Sequence, residues 1–208
     1  MSSISKLASA LHRRDEEPNI QLAELLVAKN DISGISELVS HLNDKGTDIP
    51  NDCIKVLYEV GARKPELIAP FLDIFLSLLH HKNNRLQWGA MTALAAIAKY
   101  IPDKIYKSLN TILDAAEKGS VITRDNAVKL LITLCENKEF NNDCFALLLE
   151  IMAKSPLNQV PMYAENTQHL VNTSNRNEFI RILQSRLTEV EKESMKKRME
   201  KVIRKISI

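Results

Sequence analysis

One side-chain pattern returns every 37 residues, and it narrows the possible folds more than any other feature of the chain. Leu86, Ala90, Leu94 and Ile97 are spaced four, four and three apart, which places them on one face of a helix. The same pattern lies 37 residues later at Thr123, Ala127, Leu131 and Leu134, and 37 residues earlier at Ile49, Cys53, Leu57 and Val60. A second set keeps the same period. Ile68 leads to Ile105 and, two periods on, to Phe179, while Leu72 leads to Leu109, Ala146 and Leu183. A fixed period of this length is the mark of a stacked repeat, because one unit cannot bury its own apolar stripe.

Each period has room for two helices of about four turns and two short connections. The first helices are predicted at Glu66–Leu79, Asp103–Glu117, Asn141–Ala153 and Arg176–Leu187. The second helices are predicted at Asn51–Ala62, Arg85–Ile101, Thr123–Glu136 and Met162–Asn172. A less regular pair is expected at Ile20–Lys29 and Ile32–Asn43, followed by a loop at Lys45–Pro50. Ile4, Leu7, Ala8 and Leu11 predict an N-terminal capping helix within Ser3–Arg14. Met195, Met199, Val202 and Ile206 predict a C-terminal cap within Thr188–Ile206. The expected organisation is one domain over 1–208, with caps at 1–15 and 188–208 and about five repeats over 16–187.

Composition agrees with an all-α chain. There are only five glycines and 5% aromatic residues, against 45% apolar and 26% charged. The net charge of +2 is unevenly spread: residues 176–208 carry ten Lys/Arg against five Asp/Glu, leaving the remainder at −3. A charged terminal helix is the expectation there, with contact of its lysines and arginines to acidic lipid or nucleic acid as a further reading. Cys53, Cys135 and Cys144 are odd in number and unpatterned, as expected for buried free thiols. No run approaches a membrane span and the N-terminus lacks a secretory apolar core, so a cytoplasmic location is expected.

The stretch PELIAPFLDIFLSLL resembles the first helix of a HEAT repeat, with Pro70 inside it. VITRDNAVKLLITL resembles the second, with Arg124 and Ala127 at the arginine and small-residue positions. The resemblance to HEAT-repeat proteins covers about Ile20–Leu187. It implies a right-handed α/α superhelical solenoid of antiparallel helix pairs, the second helices lining the concave side. Armadillo repeats are the near alternative, usually with a third short helix.

In that register the groove-facing positions are Asn51, Lys55 and Tyr58; Trp88, Thr92, Ala95 and Lys99; Asp125, Lys129 and Ile132; and Met162, Asn166 and His169. Tyr58 and Trp88 are the residue types that anchor interfaces. The strip predicts a groove for a protein or peptide, with no cofactor and no catalysis. No phosphate loop, dinucleotide fingerprint, nucleophile elbow or C-x-x-C occurs. The adjacent His80 and His81 are expected to meet free carbonyls at a helix end, since neither has a metal-ligand partner at suitable spacing. The alternative is a DNA-binding repair protein resembling the HEAT-like alkylpurine glycosylases, with Trp88, Asp125 and Lys129 as its site. The net negative charge of residues 1–175 argues against nucleic acid.

Overall fold

Helices account for all the regular structure of residues 2–207, the part of the chain that the computed structural model describes. Among these residues there are twelve α-helices, four 3₁₀ segments and no strand. The chain divides into two compact units, Met1–Leu130 and Leu131–Ile208.

In the first unit, α1 (Glu17–Lys29) and α2 (Ile32–Ser40) are separated by Asn30, whose left-handed backbone (φ 50°) ends α1. Asp31 then caps α2 by accepting the Gly34 amide. The long helix α3 (Asp48–Arg63) packs against α1, α2 and α5 (Asn84–Ile97), and α5 also contacts α4 (Leu72–Leu78). The repeat stripe is the core of this packing. Cys53, Leu57 and Val60 on α3 and Ala90, Leu94 and Ile97 on α5 have no exposed surface. Truncating such a leucine to alanine costs about 2–5 kcal/mol. After α6 (Pro102–Lys107) and α7 (Leu109–Lys118), α8 (Val121–Cys135) repeats the stripe with Thr123, Ala127, Leu131 and Leu134, all buried.

In the second unit α9 (Asn141–Lys154) packs on α10 (Val160–Thr167) and α11 (Arg176–Glu189), and α12 (Glu193–Ile206) packs on α10 and α11. Phe145 and Phe179 meet in its interior with ring centroids 6.1 Å apart.

Several expected boundaries are corrected. The N-terminal segment is not a helix: only Ile4–Lys6 forms a 3₁₀ turn, and His12 adopts φ 57°. Turn-type backbone bonds still hold Lys6, Leu7, Leu11, His12 and Arg13, but three other amides are captured by distant side chains. Glu37 accepts from Ser3 N (2.7 Å), Asn19 from Ala8 N (2.9 Å) and Asp52 from Ser9 N (2.8 Å). Leu7 and Ala8 are still buried, although Leu11 is 49% exposed.

The expected loop at Lys45–Pro50 is shorter, because α3 already begins at Asp48; Pro50 lies in its first turn, where no amide donor is required. Glu66–Leu79 is broken into 3₁₀ turns at Pro65–Leu67 and Ala69–Phe71 before α4, since Pro70 cannot continue a helix. Asp103–Glu117 breaks at Ser108, whose hydroxyl donates back to the Lys104 carbonyl. The α5 helix stops at Ile97, four residues short, and α10 gives way to a 3₁₀ turn at Gln168–Leu170. The C-terminal helix starts at Glu193 rather than Thr188, α11 having run on to Glu189. Ala146 is exposed, because α9 buries Cys144, Phe145, Leu148, Leu149 and Met152 and so departs from the 37-residue register.

Candidate functional site

Two neighbouring helices, α3 and α5, build the most developed surface feature of the first unit. Tyr58 on α3 and Trp88 on α5 are half-buried, with ring centroids 5.8 Å apart and planes tilted by 46°. That is an ordinary separation for an attractive aromatic pair. A cation lies over each ring: Lys55 Nζ is 4.9 Å from the Tyr58 centroid, and the Arg85 guanidinium is 5.4 Å from that of Trp88. The spacing is local to each helix. Lys55 and Tyr58 are three residues apart, as are Arg85 and Trp88, so each cation stands one turn from its ring.

Carboxylates tie the cations together. Glu16, just before α1, accepts from Lys55 Nζ at 3.0 Å and also from the Arg85 guanidinium. Glu59 accepts from Lys55 Nζ at 2.8 Å and from Arg63 at 2.5 Å. Lys55 is only 7% exposed. Burial alone pulls its pKa down, but hydrogen bonds with Glu59, Glu16 and Tyr58 outweigh this and hold it above the ordinary lysine value. Burial likewise raises Glu16 and Glu59, yet the cations beside them win and keep both carboxyls below their ordinary value. Tyr58 is raised, chiefly by burial.

Asn83 fixes the start of α5. It accepts from Arg85 N and donates through its side chain to Asn51 on α3 at 2.9 Å. A polar cleft of about 520 Å³ opens beside this corner, lined by His12, Arg13, Arg14, Asn51 and Arg85 among others.

The structure therefore brings Lys55, Tyr58 and Trp88 into one cluster. Thr92 follows one turn after Trp88 and donates to its carbonyl at 2.8 Å. Ala95 is buried in the core, and Lys99 is exposed beyond the end of α5. Asp125 is half-buried and Lys129 exposed, one turn apart on α8. In the second unit Asn166 and His169 are exposed on α10 and the 3₁₀ turn after it. Lys55 is not an open groove cation, since its ammonium is enclosed by two carboxylates. Sequence reasoning missed Glu16, Arg85 and Glu59. The Lys55–Glu59–Arg63 spacing of four was a readable signal; nothing local marks Glu16 as a partner of α3.

His81 does not meet a carbonyl through its ring: its Nδ1 accepts the Asn83 amide at 3.0 Å. Cys53, Cys135 and Cys144 are buried free thiols. Among the described residues no group of three or more His, Cys, Asp and Glu side chains is placed to hold a metal ion. No described helix is long and apolar enough to cross a membrane.

No family model matches the chain, and no curated protein matches it. Solved structures do. An engineered protein aligns over 100% of this chain and 97% of its own, at 16% identity and a TM-score of 0.64. A designed armadillo repeat protein in complex with the peptide (KR)4 aligns over 89% of this chain and 86% of its own, at 14% identity and a TM-score of 0.66. The fold is an armadillo- and HEAT-like helical-repeat solenoid. A computationally designed armadillo repeat protein for modular peptide recognition shares this solenoid fold over 97% of each chain, at 14% identity and a TM-score of 0.62.

Proposed function

We propose that this solenoid is a non-catalytic scaffold that binds a peptide or protein segment across the exposed faces of its second helices, centred on Tyr58 and Trp88. One observation carries the reading: an aromatic pair held half-buried by flanking cations, on a fold whose designed neighbours include a complex with the peptide (KR)4. Rigid aromatic side chains that remain partly open are the groups that dominate interface energies. The ion pairs around them fix their rotamers before a partner arrives, which lowers the ordering cost of binding. Thr92, Lys99, Asp125, Lys129, Asn166 and His169 are the proposed flanking contacts. The chain acts as one repeat array over 1–208, closed by the N-terminal segment and by α12. Three free buried cysteines support a reducing compartment such as the cytoplasm.

Selection of displayed peptides on the intact chain tests this, followed by measurement of each selected peptide on Trp88→Ala. Loss of affinity by roughly tenfold or more, the usual size for an aromatic anchor, supports the site. Selected peptides that bind both proteins equally place the binding surface elsewhere. A preference for duplex DNA over every peptide favours the nucleic-acid alternative.

A further inference from the structure

The outward face of α12 carries more positive charge than a cap requires. Most of its apolar stripe is used: Met199 and Val202 are buried and Ile206 is 9% exposed, while Met195 and Ile203 are half-buried. Six Lys/Arg stand against two Glu within Glu193–Ile206. The charges are also clustered. Lys201 has a cation at each of its four surface neighbours along the helix, namely Lys197, Arg198, Arg204 and Lys205. Arg198 has a carboxylate partner, Glu165 on α10, and Lys197 has only a loose one, Glu193 at 3.9 Å.

Like charges three and four residues apart weaken a helix. Elsewhere the chain places opposite signs at these spacings: Lys55–Glu59, Asp114–Lys118, Glu150–Lys154 and Glu178–Arg181 all pair. A terminal repeat needs a polar outer face, and alternating charge would supply one without repulsion.

We propose that this face docks an acidic helical segment of a partner protein. Lys197, Lys201 and Lys205 repeat about every 6 Å along the axis, which is the spacing of glutamates placed every fourth residue on a facing helix. The cationic strip is narrow. Glu193 and Glu200 border it on one side, and Glu165 lies beside Arg198 on the other. A flat anionic membrane or a wide duplex would bring its charge against those carboxylates, whereas a single helix fits between them. With Met199, Val202 and Ile206 buried and only Met195 and Ile203 partly open, α12 has little left to insert into lipid.

The probe is a fluorescently labelled helical peptide with glutamate at every fourth position over four turns, titrated into the full chain at low and physiological salt. Binding that weakens steeply with salt is expected. The triple variant Lys197→Gln, Lys201→Gln, Lys205→Gln should lose about tenfold in affinity, the sum of three exposed ion pairs. Its melting temperature should be unchanged or higher, which shows that α12 still caps the fold. Lys154→Gln on α9 should leave affinity unaltered. Absence of binding at low salt, or binding that the triple variant does not weaken, overturns the proposal. So does tighter binding to a 20-base-pair duplex or to phosphatidylserine vesicles than to the peptide.

Discussion

The Lys55 ammonium lies 3.0 Å from a Glu16 carboxylate oxygen, so one ion pair ties the middle of α3 to the residue that opens α1. Lys55 is almost wholly enclosed while Glu16 is 44% exposed. Because Glu16 is partly screened by solvent, its removal is worth less than that of a buried partner. Glu16→Gln is expected to lower stability by about 1 kcal/mol, discounted for this exposure. A double-mutant cycle with Lys55→Met in urea measures the coupling directly. Additive single-variant costs would show that the pair contributes nothing.

Acid should loosen the same corner. Glu16 and Glu59 have folded-state pKa values below the ordinary 4.5, so the unfolded chain binds protons that the folded chain does not. Their contribution is fully present above the unfolded value and is lost as pH falls through the depressed folded values. Lys55 behaves oppositely. Its contribution is complete below the ordinary 10.5 and disappears as pH rises through its raised value. Melting temperature followed from pH 7 down to pH 2.5 should fall below about pH 4.5. The fall should be shallower for Glu59→Gln, and an identical slope would contradict the shift.

Close approach of α3 to α5 rests on Gly89. A methyl group there would stand 2.6 Å from Ile54 Cγ1 and 3.2 Å from Cγ2, near the root of a side chain with no exposed surface. Ile54 has no room to turn away, so the helices must separate. Gly89→Ala gains up to about 1 kcal/mol of helix propensity but overpacks the interface by about 1–3 kcal/mol, for a net loss on the order of 1 kcal/mol. Chemical denaturation would detect it, and a more stable variant would refute the tight contact.

Thiol chemistry should be slow in the folded protein. Burial pushes the Cys53 thiol up to about 12, and hydrogen bonding to Cys144 together with burial raises Cys135. The same hydrogen bond lowers Cys144, but its side chain has no exposed surface, so an aromatic disulfide reagent at pH 8 is expected to label none of the three cysteines until denaturant is added. Prompt labelling of Cys53 under native conditions would mean that the α3 core opens readily.

The 37-residue stripe was legible wherever burial follows helical spacing, which fails on α9 at Ala146. Leu57, Leu94 and Leu131 needed only a period to be placed in the core, and all three are there. Helix breaks were less legible. Pro70 carries its own explanation, but Ser108 breaks its helix through a hydroxyl that many helices tolerate. The N-terminal segment has helical spacing at Leu7 and Leu11 yet forms only turns, its Ser3, Ala8 and Ser9 amides being drawn to Glu37, Asn19 and Asp52. At the candidate site, Tyr58 and Trp88 could be read as neighbours from the repeat register. Glu16 could not: its role depends on where the chain before α1 is anchored, and that anchoring is made of long-range hydrogen bonds.

Trp88 is the only tryptophan, so its fluorescence reports on the proposed groove alone. The most direct measurement is a titration of the wild-type chain with a selected peptide, following Trp88 emission and heat of binding in parallel. A saturable shift in emission is expected, with the same dissociation constant as the calorimetric one. Calorimetric binding with unchanged Trp88 emission would contradict it.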